Sequence, residues 1–215
     1  MISARVALQR LRDGNRRFTS NIHDPKGFPE AVRPVLLSRP PEPFAIILGC
    51  SDARVPAEIV FDQGLGDLFV IRVAGNIVAP SQVGSVEFAA GQYGTKLVVV
   101  VGHSECGAIA ATIDSLQHPD EKRSRNLQSI VDRVRPSVQG LLETDLRHDM
   151  PALALQAMRL NIRASANHLR HGSEMLEQLI DETGLLVVGA HYSVDTGVVE
   201  FFDGVPAEDA GPVAP

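Results

Sequence analysis

FAIILGCSDARV (residues 44–55) and LVVVVGHSECG (residues 97–107) share one layout: an unbroken apolar run, a glycine, then a cluster of soft or charged side chains. Two further runs, LFVIRV (68–73) and LLVVGA (185–190), have the same composition. All four are nearly continuous in Val, Ile and Leu instead of alternating, which fits parallel strands buried on both faces. Between and after them the periodicity predicts helices near 56–62, 81–92, 106–116, 126–142, 152–170 and 173–182. Strand–helix alternation of this kind predicts an α/β fold, a mainly parallel β-sheet core flanked by helices. Residues 4–19 carry Val6, Leu8, Leu11, Asn15 and Phe18 among arginines, the pattern of an amphipathic helix. The expected organisation is an N-terminal helical arm over 1–43, proline-rich after the helix, a catalytic α/β domain over 44–204, and a flexible tail over 205–215. YSVDTGVVEFF (192–202) reads as a turn at Asp195–Gly197 leading into an edge strand.

Composition narrows the function. A net charge of −6 over 215 residues gives no general attraction to nucleic acid or to an anionic membrane. The apolar runs are far shorter than a membrane span, and the charged N-terminus lacks the apolar core of a signal peptide. The expectation is a cytoplasmic protein with no nucleic-acid partner and no membrane insertion. Its two cysteines are too few for a disulfide framework and, in a reducing compartment, are available as thiolate ligands or nucleophiles.

Loops leaving the carboxyl ends of parallel strands lie along one edge of the sheet, where ligands bind. That topology can bring Cys50 together with His103 and Cys106. Two thiolates and an imidazole suit zinc and leave one coordination position open, as catalytic zinc sites do. Cys106 falls at the start of helix 106–116, whose free N–H groups favour its thiolate. Two other readings stand beside this one: buried cysteines acting as small core hydrophobes, and a dithiol redox pair lacking the usual Cys-x-x-Cys spacing.

Cys50-Ser-Asp52-Ala-Arg54 with His103-Ser-Glu-Cys106-Gly107 resembles the zinc signature of the β-class carbonic anhydrases. The resemblance extends through FDQGLGDLFVIRVAGN, GSVEFA and GAHYSVDTG, and ALQRLRDGNRRF is similar to that family's N-terminal helix. It implies reversible hydration of carbon dioxide to bicarbonate through a zinc-bound hydroxide, with Zn2+ as cofactor. It also implies a homodimer or a dimer of dimers whose N-terminal helices reach across to the partner. By the same resemblance Cys50, His103 and Cys106 are the zinc ligands and Asp52 and Arg54 the catalytic pair, with Asp52 a fourth ligand in a closed form. Phe69 matches a pocket-wall position, Phe88 one where a tyrosine of the neighbouring subunit often enters the pocket, and Gly107 a substrate-pocket position; as plain residues, the two aromatics read as core and Gly107 as a helix opener. The departures are Pro41, where the family commonly places a glutamine, and Ile47, where a bicarbonate-inhibited relative has a tryptophan beside the equivalents of Arg72 and Tyr192. His168 and His171, three apart on one helix, and His191 after the last strand read as weaker candidates. The rival functions are a CS2 or COS hydrolase on the same scaffold and a non-catalytic zinc-binding or bicarbonate-sensing protein.

Overall fold

A computed structural model describes residues 1–22, 41–120 and 123–207. Five strands, β1 (Ala45–Gly49), β2 (Leu68–Arg72), β3 (Leu97–His103), β4 (Leu186–Tyr192) and β5 (Val199–Asp203), form one sheet in the order β2-β1-β3-β4-β5. The first four run parallel and β5 is antiparallel to β4. The parallel strands are the four apolar runs, as expected, and β1 and β3 are buried along their whole length. Much of the expected arm (23–40) and the end of the tail (208–215) lie outside the described residues.

Among the described residues seven α-helices cover the sheet: α1 (Ala4–Thr19), α2 (Ala57–Val60), α3 (Pro80–Tyr93), α4 (Gly107–Gln117), α5 (Arg125–Val134), α6 (Met150–His171) and α7 (Glu174–Thr183). Because successive side chains of a strand point to opposite faces, the sheet feeds two cores. Ile46, Leu48, Val98 and Val100 pack with residues of α3 to α7, including Ile109, Val134, Leu153, Ile162 and Leu176. Ile47, Val99, Val101 and Val188 pack on the other side with α1 and α2. The long helix α6 lies close on its face because the strands beneath it carry glycine. A Cβ on Gly102 or on Gly189 would stand 2.7 Å from Ile162.

One expectation is corrected. The helix expected over 126–142 ends at Val134, and residues 135–148 continue as short 3-10 turns. Pro136 supplies no N–H and its ring crowds the carbonyl four residues back, so an α-helix cannot run through it. The N-terminal helix, expected to reach a partner, buries much of its apolar stripe within its own chain and leaves Val6 55% exposed. Ala4, Ala7, Leu8 and Leu11 are buried on the chain's own sheet with Phe44 and Phe61, on a side where α2 alone is one turn long. Asn15 pins this arrangement: its Nδ2 donates to the carbonyls of Val60 and Gly197, and its Oδ1 accepts from the N–H of Val199.

Leu11, fully buried in this contact, gives the direct check. Leu11→Ala is expected to lower the unfolding free energy by about 2–5 kcal/mol in urea denaturation. An unchanged midpoint would mean that α1 does not pack on its own sheet.

Candidate active site

The central strands place the cluster. β1 and β3 are adjacent, with Gly49 opposite Val101, and their connections leave toward opposite sides of the sheet, opening a crevice at their carboxyl ends. Cys50 directly follows β1, His103 ends β3, and Cys106 caps α4. The cysteine sulfurs and an imidazole nitrogen all lie within 4.8 Å of one another, and all three residues are buried.

Hydrogen bonding decides what these atoms offer. Nδ1 of His103 lies 2.9 Å from the Ser104 carbonyl. A carbonyl only accepts, so Nδ1 carries the proton and Nε2 keeps a lone pair. That Nε2 is buried with no hydrogen-bond partner in the protein. Each sulfur interacts with the other: the interaction with Cys106, helped by His103 and then by the Gly75 N–H 3.4 Å away, pulls the Cys50 thiol far below its usual range against the effect of burial. The same interaction, then burial, pushes the Cys106 thiol up. A partnerless imidazole nitrogen facing two sulfurs is the donor set that zinc takes, with a fourth position left for a small molecule.

Beside the cluster, Arg54 grips Asp52. Arg54 Nε donates to Oδ1 at 3.0 Å and Nη2 to Oδ2 at 3.0 Å, while the Arg54 backbone N–H donates to Oδ1 at 2.9 Å. The Arg54 side-chain bonds first, and its backbone N–H second, hold the Asp52 carboxyl far below the ordinary carboxylate range. Asp52 is therefore an anion and only an acceptor. The other edge of Arg54 meets Glu105. Arg72 straps the loop from beneath, donating from Nε to the Cys50 carbonyl at 2.9 Å and from Nη2 to the Asp52 carbonyl at 2.5 Å.

Sequence reading missed the shell that aims the Gly75 N–H at Cys50. Gly75 sits at φ 70, a left-handed conformation that favours glycine, and a Cβ there would stand 2.9 Å from that of Ala108. Buried Asn161 of α6 donates to the Gly75 carbonyl at 2.8 Å, and buried Ser165 to the Asn76 carbonyl at 3.0 Å. The available signal was position: both polar residues fall within the buried stripe of α6, between Met158, Ile162, Ala166 and Leu169.

A cavity of about 480 Å³ opens beside His103 and Cys106, walled by Ile109, Ala110, Ala154, Leu155 and Met158. Phe69 and Phe88 do not line it. Their rings stand 6.2 Å apart and both pack on Tyr93 at the β2 edge, with Phe88 53% exposed. Gly107 opens α4, with nothing within 4 Å of the place where a Cβ would be. Ile47 and Tyr192 are buried, and the void that Ile47 shares with Arg72 is about 10 Å³, too small for an anion. Pro41, His168 and His171 are exposed. His191 is half-buried on β4 with a partnerless Nε2.

A carbonic anhydrase family model matches residues 45–199. The "Carbonic anhydrase 2" of Mycobacterium tuberculosis is 33% identical over 193 residues, covering 89% of each chain. The carbonic anhydrase of Mycolicibacterium smegmatis is 42% identical over 135 residues, covering 62% of this chain and 64% of that protein. Among solved structures, the β-carbonic anhydrase CafA of Aspergillus fumigatus superposes with a TM-score of 0.72 at 23% identity, over 95% of this chain and 93% of that one. One of two tetrameric β-carbonic anhydrases of Sordaria macrospora gives 0.71 at 24% identity, over 79% and 85%. Fold and donor set define an α/β zinc protein with its metal centre at the strand mouths. The chain belongs to the β-carbonic anhydrase family.

His191 yields a pH prediction. Burial, then Arg159, pushes its imidazole below the ordinary value, against the pull of Glu200. A depressed base stays neutral in the fold while the unfolded chain takes up the proton first. The stability this contributes is fully present above about pH 6.5 and declines as the pH falls toward the folded value. His191→Gln is expected to lose less thermal stability than the unsubstituted protein between about pH 7.5 and pH 5.5. Equal losses would show that His191 is not held neutral.

Proposed function

We propose that the protein catalyses the reversible hydration of carbon dioxide to bicarbonate and a proton, with zinc held by Cys50, His103 and Cys106. The observation that carries this reading is the partnerless Nε2 of His103, buried against two sulfurs with the Asp52–Arg54 pair beside them. Bound there, zinc supplies Lewis acidity that makes a nucleophile of water near neutral pH.

The chain's own residues provide the rest. Two sulfur ligands donate more charge than two imidazoles would, which weakens the metal as an acid and leaves work for the neighbouring groups. The Ser104 carbonyl fixes the His103 tautomer and aims Nε2 inward. Asp52 accepts a hydrogen bond from the reacting oxygen and so sets where its lone pair points. Arg54, forked on both Asp52 oxygens, keeps that carboxylate from taking the fourth position itself. Carbon dioxide has no charge and little polarity, and the apolar wall of Ile109, Ala154, Leu155 and Met158 suits its approach. The reading extends to a homodimer or dimer of dimers: β2 is an edge strand, Phe88 is exposed above it, and the Sordaria relatives are tetrameric. The reading includes a cytoplasmic location, where unpaired thiols such as Cys50 and Cys106 stay reduced.

Arg54→Ala and Asp52→Asn test the pair. Both are expected to retain zinc by elemental analysis and to fall by about 10²-fold or more in rapid-mixing carbon dioxide hydration. Near-normal turnover in Arg54→Ala would reduce the pair to a loop ion pair. Cys50→Ser is expected to lose bound zinc; if it retained a full complement, Cys50 would not be a ligand.

A further inference from the structure

The guanidinium of Arg54 does more than hold Asp52. Nη1 donates to Glu105 Oε2 at 2.8 Å and Nη2 to the Glu105 carbonyl at 3.2 Å. Together with the two bonds to Asp52, at least four of its five N–H groups are in use. Asp52 belongs to the loop after β1 and Glu105 to the loop after β3, so one planar group ties the two loops that carry the cluster. Glu105 adopts φ 57, left-handed and uncommon away from glycine, while presenting both its carboxylate and its carbonyl to the same guanidinium.

The two oxygens of Asp52 are not held alike. Oδ1 accepts from both the backbone N–H and Nε of Arg54, whereas Oδ2 accepts from Nη2. Nη2 is also the nitrogen that Glu105 fixes. The Arg54 side chain is 42% exposed, and its partner carboxylate on Glu105 is 66% exposed. A long side chain this open to water keeps one orientation only where several acceptors define its plane.

We propose that Glu105 is a positioning residue for the hydration reaction: by fixing the guanidinium plane it keeps Nη2 on Asp52 Oδ2, and so keeps that oxygen turned away from the metal. The inference rests on the reading that Arg54 holds Asp52 off the metal. In Glu105→Ala, Nη1 loses its carboxylate acceptor and only the main-chain carbonyl of residue 105 still meets Nη2, so the guanidinium plane is less defined and the fork loosens at Oδ2, while the backbone bond still retains Oδ1. Glu105→Gln keeps an acceptor oxygen at the same reach and removes the charge, which separates positioning from simple electrostatics.

The test compares zinc-replete Glu105→Ala, Glu105→Gln and Arg54→Ala by zinc content, crystal structure and rapid-mixing hydration. Glu105→Ala is expected to keep its zinc, lose about ten-fold in kcat with little change in KM, and show Arg54 displaced from Oδ2. Glu105→Gln should recover most of that loss and restore the fork. An unmoved Arg54 with unreduced kcat in Glu105→Ala would overturn the proposal, as would equal losses in the Ala and Gln variants. Arg54→Ala distinguishes the layers: if it is slow with Asp52 on the metal while Glu105→Ala is unaffected, only the role of Glu105 fails. If Asp52 stays away from the metal and turnover is near normal in Arg54→Ala, the underlying reading fails with it.

Discussion

Two sulfur atoms buried side by side cannot both be anions unless a cation stands against them. In this chain the constraint falls on Cys50 and Cys106, whose interaction pulls one thiol down and pushes the other up, and which lie against an imidazole nitrogen that no protein group satisfies. An apolar interior penalises an unpaired polar atom and penalises a second uncompensated charge far more. A dication with a preference for sulfur and nitrogen answers both penalties at once. The fold bears the arrangement because its three donors come from two adjacent strand ends and the first residue before a helix, the least deformable places in an α/β sheet.

The same economy of position governs the surrounding polar groups. Asn161 and Ser165 reach from α6 to hold the Gly75–Asn76 turn, and that turn delivers an N–H to Cys50. Arg72 ties down the carbonyls of the Cys50–Asp52 loop, leaving the side chains free to face the site. The glycines under Ile162 let α6 approach closely enough for these contacts to form. The helix that encloses the core is thus also the helix that orients a ligand.

The strands were legible because burial on both faces forces an unbroken apolar run, and 44–49 and 97–102 could hardly be anything else. The proximity of Cys50 to His103 was legible too, because a parallel sheet gathers its carboxyl ends along one edge. Other features were hidden for physical reasons. Asn161 and Ser165 look like ordinary polar helix residues until tertiary packing turns them onto a backbone turn 86 and 89 residues away. The amphipathic stripe of α1 states that a face must be covered but not by which surface, and much of it is covered by the chain's own sheet. Pro136 marks the end of α5 locally, a signal that apolar spacing over 126–142 does not carry. Phe69 and Phe88 were placed by family likeness, and in the single chain they form an aromatic cluster on the sheet edge, apart from the cavity at His103.

The central claim is that the sulfur–imidazole cluster holds a zinc ion that is used to hydrate carbon dioxide. Its most direct test is to strip the purified protein of metal, return zinc in measured steps, and follow carbon dioxide hydration by rapid mixing at each step. The account predicts a rate that rises in proportion to bound zinc and levels off at one ion per chain. A folded, fully zinc-loaded protein that hydrates carbon dioxide no faster than buffer, or full activity before any zinc is returned, would contradict it.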